Sequence, residues 1–172
     1  MSFNPIKYKK FMNSNFVLIT GASSGIGKEI AIQLSKDYNI VLHGRNLDRL
    51  NEVKDLCTKT SNQLIWQQNL NEAEEIEGSL IDFLKINEIE INKYVHCAGY
   101  MKMAPLKISS LKILSKSFNT NVISASLICK VLTNRRANNG ALLSVVFISS
   151  NISNMGAKGM SAYGASKGAI DT

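Results

Sequence analysis

Tyr163 and Lys167 stand four apart in Tyr163-Gly164-Ala165-Ser166-Lys167. On a helix that spacing puts both side chains on one face. A free phenol titrates near pH ~10, too high for an acid or base at neutral pH. An ammonium beside a phenol favours the phenolate. Such a pair can pass a proton to or from a carbonyl or alcohol oxygen. The pattern YxxxK alone is common, and its weight comes from its company. Ser150 lies thirteen residues before Tyr163 and follows an apolar run. In open α/β sheets the carboxyl ends of strands bind ligands, so its hydroxyl is placed to hold a substrate oxygen. Ser149 is the alternative, but strand alternation turns the two hydroxyls opposite ways, and the spacing to Tyr163 favours Ser150. Asn121 falls in a long helical stretch, where asparagine is a poor helix former with a polar side chain to satisfy.

A second constellation binds rather than reacts. Thr20-Gly21-Ala22-Ser23-Ser24-Gly25-Ile26-Gly27 follows the apolar run Phe16-Val17-Leu18-Ile19 and opens a helical pattern. Gly21 permits a tight turn, Gly25 lets the backbone approach a pyrophosphate, and Gly27 lets the helix pack close to the strand. A helix N-terminus then offers free N–H groups to phosphates. The spacing is TGxxxGxG, neither GxGxxG nor a P-loop. Beyond the next apolar run comes Gly44-Arg45-Asn46. An acid here would hold the ribose hydroxyls of NAD, and none is present. Arg45 is instead suited to the 2′-phosphate of NADP, so NADP(H) is preferred over NAD(H). With a nicotinamide moving hydride, the Tyr163–Lys167 pair becomes the proton half of an oxidoreductase.

The elements that must carry these groups alternate. Apolar runs of strand length occupy residues 16–19, 39–43, 63–67, 94–96 and 141–148. Helical patterns occupy 25–36, 46–58, 72–86, 109–136 and 161–172. This alternation predicts an α/β chain, a Rossmann-type doubly wound parallel sheet with helices on both faces. Residues 1–11 read as a flexible N-terminal extension and 12–172 as one nucleotide-binding domain. His43 reads as a strand residue and Cys97 as a core cysteine.

Composition excludes other classes. The net charge is +7, but the lysines read as scattered and solvated, with no basic–aromatic interleaving for nucleic acid. Cys57, Cys97 and Cys129 form no CxxC pair, which argues against a zinc site or disulfide framework and for a reducing, cytoplasmic home. No run reaches the ~20 apolar residues of a membrane span. Neither a metal nor a membrane is expected.

In order along the chain, the glycine turn, His96-Cys97-Ala98-Gly99, Asn121, Ser150, Tyr163 and Lys167 resemble the short-chain dehydrogenase/reductase family, in its single-domain branch. The resemblance implies Tyr163 as general acid/base and Lys167 as the group that lowers its pKa and binds the nicotinamide ribose. It implies Ser150 orienting the substrate oxygen, Asn121 supporting a proton relay, Ala98 and Gly99 lining the cofactor, and Asn69 where the family often has an adenine-contacting aspartate. His96 and Cys97 replace the family's usual asparagines. Ser24 stands where NADP-preferring members often carry a second basic residue. Met101, Met103, Met155 and Met160 lie in loops that flank substrate in this family. The implied substrate is a small carbonyl or secondary alcohol: a 3-oxoacyl thioester, a ketosteroid-like compound or a sugar. The implied full-length assembly is a homodimer or homotetramer. The family continues past Thr172 with two more strands, so the last strands are expected to be missing and the chain alone to turn over poorly. A fragment of a longer enzyme and a non-catalytic nucleotide-binding or regulatory form both remain open.

Overall fold

A computed structural model describes residues 14–172, so the extension read at 1–11 lies outside the described residues. The first half repeats strand and helix: β1 (Ser14–Thr20), α1 (Gly25–Leu34), β2 (Asn39–Gly44), α2 (Leu47–Leu56), β3 (Gln63–Gln67), α3 (Ala73–Asn87) and β4 (Glu90–His96). After a 3-10 turn at Leu106–Ile108 come α4 (Leu111–Phe118), a π-helical segment (Asn119–Ile123), α5 (Ser124–Thr133) and α6 (Arg135–Asn138). β5 (Ser144–Phe147), α7 (Ile152–Met155) and α8 (Ser161–Asp171) complete it.

The strands form one parallel sheet in the order β3-β2-β1-β4-β5. The chain therefore winds outward from β1 in one direction, returns, and winds outward in the other, which opens a crevice at the carboxyl ends of β1 and β4. Alternation along β1 sorts the core into two layers. Phe16 and Leu18 join Ile76, Leu80 and Leu84 of α3 and Ile128 and Leu132 of α5. Val17 and Ile19 join Ala31 of α1 and Leu50 and Val53 of α2. Each of these valine, leucine, isoleucine and phenylalanine side chains contributes about 1.5–3 kcal/mol by leaving water. This is the Rossmann-type α/β architecture.

β5 lies at the sheet edge, with Val146 48% and Phe147 37% exposed.

Two elements differ from the sequence reading. The stretch 109–136 is not one helix. It widens into a π-turn around Asn121, then stops at Asn134, whose side chain accepts from Arg136 N at 2.8 Å and starts α6. β4 begins at Glu90 rather than Tyr94. Its polar first residues are held from outside the sheet: buried Asn138 accepts from Ile91 N and donates to Ile91 O, both at 2.8 Å.

Candidate functional site

At the end of β1 the chain turns with Gly21 at φ +67°. A Cβ there would lie 2.8 Å from the backbone of Ala98, and one on Gly27 would lie 2.5 Å from the Gly21 carbonyl oxygen. The turn is thus closed against β4 and against its own helix. Gly25, at φ +55°, has open space where its side chain would be. Ser24 precedes α1 in extended conformation, its side chain makes no capping bond, and the first turn holds no acid. The first amides of α1 are left for an anion, with the positive end of the helix dipole behind them.

These residues form one wall of a cleft of about 320 Å³. Of the residues singled out from sequence, Gly21, Ser23, Ser24, Ile26, Gly27, Arg45, Asn69, Ala98 and Gly99 line it. Arg45 is exposed at its rim. Gly25 and Asn46 do not line it; Asn46 caps α2, its Oδ1 accepting from Arg49 N at 2.9 Å. Asn69 lines the cleft with a side chain already engaged, its Nδ2 donating to Glu72 Oε1 at 2.8 Å.

Two buried histidines back the cleft. His43, in β2, donates from Nε2 to Gln68 O at 3.1 Å. Burial holds its pKa down at about 4, with the Arg45 charge adding to the effect and the Gln68 carbonyl opposing it. His96, in β4, has its Nδ1 at 2.7 Å from the Tyr94 hydroxyl and 3.0 Å from Thr20 Oγ1. Burial holds its pKa down at about 3, with the Lys167 charge acting in the same direction. Both hydroxyl oxygens meet the one ring nitrogen, whose donor or acceptor role is set by the tautomer of the neutral ring. Thr20 Oγ1 also accepts from Ala98 N at 3.2 Å, so the network fixes the backbone that closes over Gly21. Cys97 lines the cleft half-buried, and burial raises its thiol to about 11. It is a neutral packing group rather than a reactive thiolate.

At the other end of the cleft, the π-turn delivers the Asn121 carboxamide into the interior. Its Oδ1 accepts from Tyr100 N at 2.6 Å, and its Nδ2 donates to Tyr100 O at 3.1 Å and to Ser166 Oγ at 2.8 Å. Ser166 in turn donates to Tyr163 O at 2.7 Å. Lys167 is buried, its Nζ donating to Ile148 O at 2.6 Å and lying 5.9 Å from the centre of the Tyr163 ring. Burial lowers its pKa, while Cys97 and Asp171 oppose that. A Cβ on Gly99 would sit 3.8 Å from Asn121 Oδ1 and 4.0 Å from Lys167 Nζ. The structure thus gathers Gly99, Asn121, Ser166, Lys167 and the Tyr163 ring. Ser150 is half-buried and starts the α7 turn, its Oγ accepting from Ile152 N at 3.3 Å.

Sequence reasoning did not single out Tyr100, Lys116 and Thr120, which also line the cleft, or Ser166, which ties Asn121 to α8. Lys116 places its Nζ 4.5 Å from the centre of the Tyr100 ring. The i,i+4 spacing of Lys116 and Thr120 on one helical face was the available signal.

The family model described as short chain dehydrogenase matches residues 15–172. The chain is 31% identical over 168 residues to 3-ketodihydrosphingosine reductase of Mus musculus, covering 90% of this chain and 48% of that protein. It is 29% identical over 161 residues to retinol dehydrogenase 8 of Homo sapiens, covering 90% of this chain and 50% of that one. The chain thus spans about half the length of these relatives. Among solved structures, an actinorhodin polyketide ketoreductase variant with NADPH superposes with a TM-score of 0.78 at 21% identity, covering 92% of this chain and 62% of that one.

Proposed function

The chain belongs to the short-chain dehydrogenase family, and on that premise we propose that it carries the nucleotide-binding and proton-transfer halves of an NADP(H)-dependent oxidoreductase acting on a carbonyl/secondary alcohol pair. The observation that carries this reading is the position of Gly99, between the glycine-turn cleft and the Asn121–Lys167 pair. Gly99 lines the cleft of the anion cradle, and a Cβ on it would approach Asn121 Oδ1 and Lys167 Nζ.

The residues present fit a dinucleotide. Side chains at Gly21 or Gly27 would fill the turn, while Gly25 leaves room above it. The α1 amides would take the pyrophosphate, Arg45 the 2′-phosphate, and Ala98 and Gly99 the nicotinamide half. A bound nicotinamide supplies or accepts the hydride. In the reducing direction Tyr163 donates its phenol proton to the carbonyl oxygen, and in the oxidising direction its phenolate takes the alcohol proton. Lys167 stabilises that phenolate by its charge and is suited to the nicotinamide ribose. Asn121 holds the groove wall at Tyr100 and is suited to support a proton relay; Ser150 is suited to hold the substrate oxygen. The relatives named for reducing a ketosphingoid and for oxidising retinol suggest an apolar substrate.

Calorimetric titration of the 172-residue chain with NADPH and NADH tests this. A guanidinium–phosphate bond worth about 1.5–3 kcal/mol predicts NADPH binding roughly ten to a hundred times tighter. Equal affinities would remove the NADP preference, and no binding of either would remove the function. NADPH binding with no oxidation on a carbonyl panel would favour a nucleotide-binding form without catalysis.

A further inference from the structure

The cleft over the glycine turn is lined by two permanent cations on different elements: Arg45, just past β2, and Lys116, in α4. Among the described residues, none that lines the cleft is acidic. The histidine in the lining, His43, is held uncharged at neutral pH by burial. The ion pairs among the described residues are Lys59–Asp55 and Lys130–Glu77, so neither cleft cation has a carboxylate of its own.

Arg45 is exposed at the rim, whereas Lys116 is half-buried and held in place. Its Nζ sits 4.5 Å from the centre of the Tyr100 ring, a cation–π arrangement. Asn121 holds the backbone of Tyr100 at both its N–H and its C=O, which fixes that ring's attachment. Three residues beyond Lys116, Asn119 donates from Nδ2 to Asn71 O at 3.1 Å. That bond ties this end of the helix to the loop carrying Asn69 and Leu70, which line the same cleft. Tyr163 and Lys167 do not line it.

We propose that Lys116 is a dinucleotide-binding residue, its ammonium attracting the phosphates of the cofactor's adenosine half, with the Tyr100 ring as the platform that positions it. The proposal rests on the cofactor reading of the cleft and adds a second cation to Arg45. A ring face offers an ammonium no oxygen acceptor, so its N–H donors stay available to phosphate. Lysine binds phosphate as a point charge and does not need the two-pronged geometry of arginine. With no acid in the lining, an entering anion meets uncompensated positive charge, and low solvent access strengthens the attraction.

The test is calorimetric titration of the 172-residue chain and its variants with NADPH and with adenosine 2′,5′-bisphosphate, the phosphate-bearing half alone. Lys116→Met keeps the stem and removes the charge. It should weaken both ligands roughly tenfold, by less as salt is raised. Lys116→Arg should stay within about threefold of the parent, and Lys116→Glu should lose about a hundredfold or more. Lys112→Met, the same change one turn earlier and outside the cleft, should stay within about twofold. Circular dichroism checks that each variant folds. Unchanged affinity in Lys116→Met overturns the proposal while leaving the cofactor reading in place. So does failure of Lys116→Arg to restore binding, which would make the role one of packing, or an equal loss in Lys112→Met, which would make it diffuse charge. A parent chain that binds neither ligand overturns the cofactor reading and this assignment with it.

Discussion

The Asn121 carboxamide grips Tyr100 at both backbone groups, accepting from its N–H at 2.6 Å and donating to its C=O at 3.1 Å. A third bond runs to Ser166, so one buried side chain joins the loop after β4 to the helix that carries Tyr163 and Lys167. A π-turn adds a residue to the helical register and frequently marks a functional site. Asn121→Ala leaves the Tyr100 amide and carbonyl without this partner. The expected cost is about 2–4 kcal/mol in urea unfolding, from a buried group losing several bonds. Ser166→Ala should cost about 1 kcal/mol, with a coupling of about 0.5 kcal/mol or more to Asn121 in a double-mutant cycle. Independent effects would show that the two do not act as one clamp.

The three glycines of the turn separate by what surrounds them. Gly21→Ala combines left-handed φ with contact on the Ala98 backbone, and Gly27→Ala collides with the Gly21 carbonyl. Both should destabilise by more than about 3 kcal/mol, since the neighbouring backbone atoms cannot move away cheaply. Gly25→Ala meets no atom and carries only the backbone strain of about 1–2 kcal/mol. On the proposed cofactor site its larger effect should be on NADPH affinity, because the new methyl adds bulk at the start of α1, whose amides are proposed to hold the pyrophosphate. Thermal unfolding and NADPH titration of the three variants would show the ranking; a Gly25→Ala variant as unstable as the others would contradict it.

Much of this was legible in the sequence because it is local. Phe16-Val17-Leu18-Ile19 followed by the glycine turn identifies a buried strand entering a helix, and β1 and α1 stand there. Asn46 is a lesson in ambiguity, since the residue beside Arg45 is also the best capping type at a helix start, and it caps. What was hidden is non-local or register-dependent. Apolar residues continue from Phe118 through Val122 and Ile123, so the periodicity gives no sign of the π-turn. Asn138 falls just past the helical pattern at 109–136, yet it bonds Ile91, 47 positions away, and lets β4 start on polar residues. Ser150 lies past the end of β5 at Phe147, in the turn that opens α7, and its hydroxyl accepts from the Ile152 amide.

Arg45 is exposed at the cleft rim, so exchanging it should leave the chain folded. Arg45→Asp replaces the cation proposed for the 2′-phosphate with a carboxylate suited to ribose hydroxyls. NADPH affinity should fall about a hundredfold and the NADPH/NADH preference should invert. Unchanged preference in paired titrations would place the 2′-phosphate elsewhere.

The two buried histidines make stability depend on pH. Unfolded, each titrates near 6.5; folded, burial holds His43 at about 4 and His96 at about 3. Between these values the unfolded chain binds more protons, so stability rises with pH. Their contribution is present above pH 6.5 and is lost as pH falls through 4 and toward 3. Each histidine contributes a slope of about 1.4 kcal/mol per pH unit in that window. His96→Asn removes one titration, so the slope of unfolding free energy between pH 6 and 4 (about the limits of the window) should be roughly halved. An unaltered slope would mean that His96 is protonated in the folded chain.

Lys167 is the sharpest test of the chemistry because its burial separates structure from catalysis. Its ammonium sits among Ile148 O, Cys97 and the Tyr163 ring, and burial already lowers its pKa. Lys167→Met keeps the aliphatic stem, removes the charge and loses one hydrogen bond, so stability should change by no more than about 1–2 kcal/mol. Tyr163→Phe removes a hydroxyl from a half-buried ring and should be within about 1 kcal/mol of the parent. On the proposed mechanism both should lower carbonyl reduction by about a hundredfold or more, measured in whatever length of the protein shows turnover, because each removes one member of the proposed tyrosine–lysine pair. Retained activity in Tyr163→Phe would assign the proton to another group.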